Sequence, residues 1–205
     1  MRVRITFQKI GNLRYASILD MQKTWERALR RAKLPVQMTQ GFNPHVKIQI
    51  AHPLPVGYSG RNEIVDIFLD KEIPTGAIRE RLQNVVPDGL IINSIVNAPE
   101  KPRSLSALFT KAEYIVVLRN AQKDAVEGEI NKILSSPSLV RSRNNKKYDL
   151  RPLIHNLEIC QVSGADVLIS MVLSAESGKT GRPDEVAHQL GYNPSECIIE
   201  RIRLF

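Results

Sequence analysis

Val3-Arg-Ile-Thr-Phe7 alternates apolar and polar residues, and Ser17-Ile-Leu-Asp-Met-Gln-Lys-Thr-Trp-Glu-Arg-Ala-Leu-Arg-Arg-Ala-Lys33 then carries helical spacing up to Pro35. The first pattern predicts a strand and the second a helix. Working outward, Val46-Lys-Ile-Gln-Ile50 alternates again, and Glu63–Leu69 reads as a third strand. Thr75–Val86, bounded by Pro74 and by Pro87-Asp-Gly89, reads as a helix, and Leu90–Val96 as a strand. The order is β-α-β-β-α-β.

The second half repeats it. Tyr114-Ile-Val-Val-Leu118 is a predicted strand, and Ala121–Leu134 a helix that stops near Pro137. Lys147–Ile159 holds one strand, late in that span, and Ala165–Leu173 another. Pro183–Leu190 reads as a helix with proline at its start and Gly191 at its end. Glu196–Leu204 is the last strand. The pattern predicts an α+β protein of tandem ferredoxin-like (βαββαβ twice) sandwiches. Their expected bounds are residues 1–98 and 110–205, with a linker at 99–109 rich in proline and charge. The fold name describes topology and implies no iron.

The 205 residues are 42% hydrophobic and 24% charged, which suits a soluble globular chain and excludes wholesale disorder. No run of about 18 apolar residues predicts a membrane span, and the start of the chain lacks the apolar core of a signal peptide. Two cysteines, Cys160 and Cys197, form no disulfide framework, so both are expected to be buried and the protein cytoplasmic.

The net charge of +8 is concentrated. Residues 1–47 hold ten Lys/Arg against two acids, Asp20 and Glu26, and the rest of the chain holds 19 of each sign. A localised positive field favours a polyanion. On the first helix Met21, Trp25, Ala28, Leu29 and Ala32 share one arc, and Lys23, Arg27, Arg30 and Arg31 the opposite one. Like charges at i,i+4 repel by a few tenths of a kcal/mol, which an anionic partner relieves. Ser17 is the expected N-cap, with Asp20 in the capping-box position.

Thr39-Gln-Gly-Phe-Asn-Pro-His45 follows, a loop constrained by Gly41 and Pro44. It is suited to present Phe42 for base stacking, Asn43 for a base edge and His45 for phosphate contact or proton transfer. Phe42 as core and Asn43 as a turn cap are the plainer readings. Arg14 and Lys47 flank these segments and complete the first basic surface. Arg141, Arg143, Lys146 and Lys147, with Tyr148 among them, form a second basic stretch that reads as a mobile hairpin or loop edge suited to single-stranded nucleic acid.

Arg4–Tyr15, Ser17-Ile-Leu-Asp20, Glu26–Pro35, Gly41-Phe-Asn-Pro-His45 and Pro53-Leu-Pro-Val-Gly57 resemble, in that order, the radical-SAM-linked domain of unknown function. The resemblance thins but keeps its order through Asp149-Leu-Arg-Pro-Leu-Ile154, Arg182-Pro183 and Ile199–Leu204. It implies an accessory role in RNA modification or processing, with a radical-SAM protein and an RNase E/G-type ribonuclease as partners. Two positions depart from that family: Ile18 stands where it has histidine, and Val46 where it has proline.

Other chemistry lacks its residues. Cys160 and Cys197 are too far apart in sequence for a radical-SAM cluster, and His45, His52, His155 and His188 show no zinc spacing, so no metal or cofactor is expected on this chain. Gly178-Lys-Thr180 resembles the end of a P-loop, but Leu173 stands where that loop needs glycine. The leading expectation is a non-catalytic RNA-binding protein. The alternatives are a protein-docking adaptor for a radical-SAM partner, and a metal-independent endoribonuclease with His45 as its one catalytic candidate, aided by Arg14 or Lys47. CRISPR repeat-processing endoribonucleases resemble the chain in topology alone.

Overall fold

The computed structural model describes residues 1–99, 104–143 and 145–205 and divides into two compact units, Met1–Leu108 and Phe109–Phe205. Residues 100–103, part of the expected linker, lie outside the described residues, as does the side chain of Lys146. The fold is α+β and consistent with a ferredoxin-like arrangement.

In the first unit the order is β1 (Arg2–Lys9), α1 (Ile18–Arg31), β2 (Ile48–Ile50), β3 (Ser59–Phe68), α2 (Thr75–Gln83) and β4 (Leu90–Asn97). All pairs are antiparallel, in the order β4-β1-β3-β2. The alternation read in β1 has its expected result: Val3, Ile5 and Phe7 are buried with the apolar stripe of α1 and with Ile78 and Leu82 of α2. Trp25 meets the edge of Phe7 at a centroid distance of 5.0 Å. Ile10 N–H donates to the Gly89 carbonyl at 2.9 Å. There Gly89 has φ +84°, and an added Cβ would lie 2.4 Å from the Ile10 oxygen.

In the second unit β5 (Lys111–Leu118), α3 (Lys123–Ser135), β8 (Ile154–Ser163), β9 (Asp166–Glu176), α4 (Pro183–Gln189) and β11 (Ile198–Leu204) carry the expected succession. β5 lies between β9 and β11, and β8 takes the other edge of β9. Two additions depart from a plain repeat. A hairpin, β6 (Val140–Arg143) with β7 (Lys146–Asp149), precedes β8, so the span assigned one strand holds parts of two. A short β10 (Lys179–Thr180) folds back on the end of β9, which makes a strand edge of the P-loop-like residues.

The cysteines also depart from expectation. Cys160 is exposed on β8, beside an irregularity in its pairing, and Cys197 is half-buried. Cys160 thus sits on the edge strand's outer surface rather than in the core. No helix among the described residues is long and apolar enough to cross a membrane.

Candidate nucleic-acid interface

Two of the ten early cations, Arg2 and Lys9, are buried, and a third, Arg4, is half-buried and paired. Arg2 and Arg4 share the carboxylate of Asp66, itself wholly buried: Arg2 Nε donates to Oδ2 at 2.7 Å and Arg4 Nε to Oδ1 at 2.9 Å. Lys9 is buried and donates to the Ala16 carbonyl at 2.9 Å. The charge available to a partner is therefore narrower than the sequence count.

What remains is α1. Its cap forms as expected: Asp20 N–H donates to Ser17 Oγ at 3.2 Å, and Ser17 N–H to Asp20 Oδ2 at 3.0 Å. The Ser17 hydroxyl, also bonded to this carboxylate, is the main cause that holds Asp20 below the usual carboxylate range, followed by the Ser17 N–H. Lys23, Arg27, Arg30 and Arg31 are all exposed. Glu26 accepts from Gln22 rather than from a cation. Lys23 acts on Asp20 only through space, and the side chains of Arg27, Arg30 and Arg31 make no ion pair or hydrogen bond among the described residues. Lys23, Arg27 and Arg31 recur at i+4, about 6 Å apart along the helix axis.

The loop at 39–45 is clamped at its base. Thr39 N–H donates to the His45 carbonyl at 2.7 Å, and His45 N–H to Thr39 Oγ1 at 3.0 Å. Met38 and Val46 bridge below them, and buried Val46 anchors the return. Gly41 takes φ +132° at the tip. Phe42 is 106% exposed, so its ring has no place in the core. Asn43 and His45 are exposed beside it in sequence. The His45 ring makes no hydrogen bond among the described residues that would orient it as a general base.

Other predicted contacts have structural work. Arg14 Nε donates to the Gly57 carbonyl at 3.0 Å, and Gly57 N–H returns to the Arg14 carbonyl at 2.8 Å. The Lys47 ammonium sits 4.6 Å from the centroid of the Phe68 ring. Arg141 is engaged by α4, donating to Glu185 at 2.9 Å and lying 3.1 Å from His188 Nδ1. Arg143 and Lys147 are exposed on the β6–β7 hairpin. The fold therefore collects Lys23, Arg27, Arg30 and Arg31 on one helix face and Phe42, Asn43 and His45 on one loop, and it ties Arg14, Lys47 and Arg141 into their own surroundings.

One feature escaped the sequence reading. Tyr15, Ile18, Leu19 and Val56 are exposed apolar residues around the start of α1, Tyr15 at 65% and Leu19 at 64%. The Arg14–Gly57 bonds hold the Val56 segment against this end. The available signal was that Leu19 falls outside the apolar stripe of the helix. No group of three His, Cys, Asp or Glu among the described residues is placed to hold a metal ion.

The fold is similar to proteins in solved ribonucleoprotein structures. A chain of a Cbf5-Nop10-Gar1 complex shares 10% identity at a TM-score of 0.55, over 98% of this chain and 48% of that one. A chain of the archaeal box H/ACA sRNP Nop10-Cbf5 complex shares 11% identity at a TM-score of 0.51, over 98% and 47%. This chain thus spans about half the length of each. No curated protein matches the sequence. The model of one family, described as "Uncharacterized protein conserved in bacteria (DUF2344)", matches residues 2–183.

Proposed function

The chain belongs to the DUF2344 family, and from that premise we propose that it is a non-catalytic RNA-binding accessory protein. It acts in the cytoplasm beside a radical-SAM enzyme or an RNase E/G-type ribonuclease in RNA modification or processing. Its two units are tandem ferredoxin-like sandwiches, the first of which carries the RNA surface. The observation that carries this reading is the outward face of α1, where Arg27, Arg30 and Arg31 lack any counter-charge among the described residues. The likeness in fold to H/ACA ribonucleoprotein components supports it at the level of architecture.

In this reading Lys23, Arg27, Arg30 and Arg31 neutralise phosphates. Phe42 stacks on an unpaired base, and Asn43 and His45 contact the neighbouring nucleotide. Arg143 and Lys147 extend the basic surface on the second unit, and Arg14, Lys47 and Arg141 support their own segments.

Filter binding of a single-stranded RNA across a salt series tests this. The logarithm of affinity should fall linearly with that of salt, with a slope of about −0.7 per phosphate neutralised. The double variant Arg27→Glu/Arg31→Glu should flatten the slope by at least about 1.4. Affinity indifferent to salt, or unchanged in the double variant, rejects the reading. The exposed Tyr15, Leu19 and Val56 favour a second reading, in which α1 docks a radical-SAM partner protein without RNA contact, this apolar end packing on it and the basic face meeting its acidic groups. A pull-down that survives nuclease treatment, from protein without RNA affinity, would select it.

A further inference from the structure

The second unit contains a cleft of about 740 Å³ between the β6–β7 hairpin and the β9–β10 hairpin. That volume lies in the range of small-molecule sites, roughly 300–1,000 Å³. Its wall includes the ring of Tyr148, whose hydroxyl is itself buried and closed to the cleft, without a hydrogen-bond partner among the described residues.

The charges in the cleft divide into committed and open ones. Asp149 accepts from Leu139 N–H at 2.8 Å and Arg151 N–H at 3.0 Å, and Arg182 donates to Asp184 at 3.2 Å. Arg143 and Lys179 line the same cleft, are exposed, and make no side-chain hydrogen bond or ion pair among the described residues. Two open cations facing one cavity suit a phosphate dianion. The carboxylate of Glu176 also makes no side-chain hydrogen bond among the described residues, and it is an acceptor suited to hydroxyl or amino groups. Ser174 lies on the wall with its hydroxyl 2.8 Å from His155 Nε2. Pro152, Leu153 and the Tyr148 ring supply apolar surface for a flat base.

From this donor, acceptor and apolar set we propose that the cleft binds a nucleoside monophosphate unit, with Arg143 and Lys179 on the phosphate and the base against Pro152, Leu153 and the Tyr148 ring. The site is not a P-loop: Lys179 and Thr180 form a strand edge and open no helix. The unit is either a free nucleotide or the phosphorylated end of an RNA. The site lies in the second unit and does not depend on the α1 surface.

Calorimetric titration of the full chain with AMP and UMP, with adenosine and inorganic phosphate as controls, provides the test. Either nucleotide should bind at least about tenfold more tightly than both controls. Arg143→Ala/Lys179→Ala should weaken nucleotide binding about tenfold or more. Competition between AMP and a 5′-phosphorylated RNA decamer identifies a chain end as a ligand, and its absence a free nucleotide. Arg27→Glu/Arg31→Glu should leave AMP binding intact, so failure of the α1 reading and failure here are distinguishable. No nucleotide binding, adenosine or phosphate binding equal to that of AMP, or binding unaffected by loss of Arg143 and Lys179 overturns the proposal.

Discussion

Asp66 separates structural charge from available charge. It is buried between Arg2 and Arg4, and a carboxylate removed from such a site leaves two guanidinium groups without their counter-ion. Asp66→Ala should lower unfolding free energy by about 3–5 kcal/mol in a denaturant titration. Phe42 is the opposite case. Its ring touches solvent on all sides, so Phe42→Ala should change stability by less than about 0.5 kcal/mol. The same change should weaken RNA binding by about 1–3 kcal/mol if one base stacks on the ring. Equal stability with equal RNA affinity would remove Phe42 from the interface. The exposure of that ring was not legible in the sequence, because phenylalanine in a loop is as readily tucked inward as turned out. The clamp from Thr39 to His45 turns it outward.

At the scale of elements, α1 was the most legible part. Periodicity separated its faces, and the spacing of Ser17 and Asp20 announced its cap; the five residues assigned to its apolar arc are buried and its cap closes as expected. The cap has a pH signature. The folded Asp20 carboxyl is held below the usual range by Ser17, so its stabilising contribution is complete above the ordinary aspartate range. It is lost as pH falls through the lowered folded value. The protection factor of the Asp20 amide, which donates to Ser17, should therefore fall on acidification through that range once the intrinsic pH dependence of exchange is removed. The turn before β4 depends on a different feature. Gly89→Ala adds a Cβ at a positive φ and against the Ile10 carbonyl, and should destabilise by about 1–3 kcal/mol in thermal unfolding. The β6–β7 hairpin was the least legible element. Its strands are four residues each and mostly polar, so no apolar alternation distinguished them from a loop.

Across the whole molecule, the net charge of +8 matters less than its placement. Arg27→Glu/Arg31→Glu and Arg119→Glu/Lys123→Glu change net charge equally, and all four residues are exposed. Only the first pair should flatten the salt dependence of RNA binding; equal effects from both would mean that the field is diffuse rather than seated on α1.

The sequence by itself determined the succession of strands and helices, the two faces of α1 and the early concentration of charge. These are local properties, carried by spacing between near neighbours. Only the tertiary structure decided which cations are available. Arg2 and Arg4 meet Asp66 more than 60 residues away, and Arg141 meets Glu185 across 44 residues. Such pairings depend on how distant segments are brought together in space, which residue spacing along the chain does not encode.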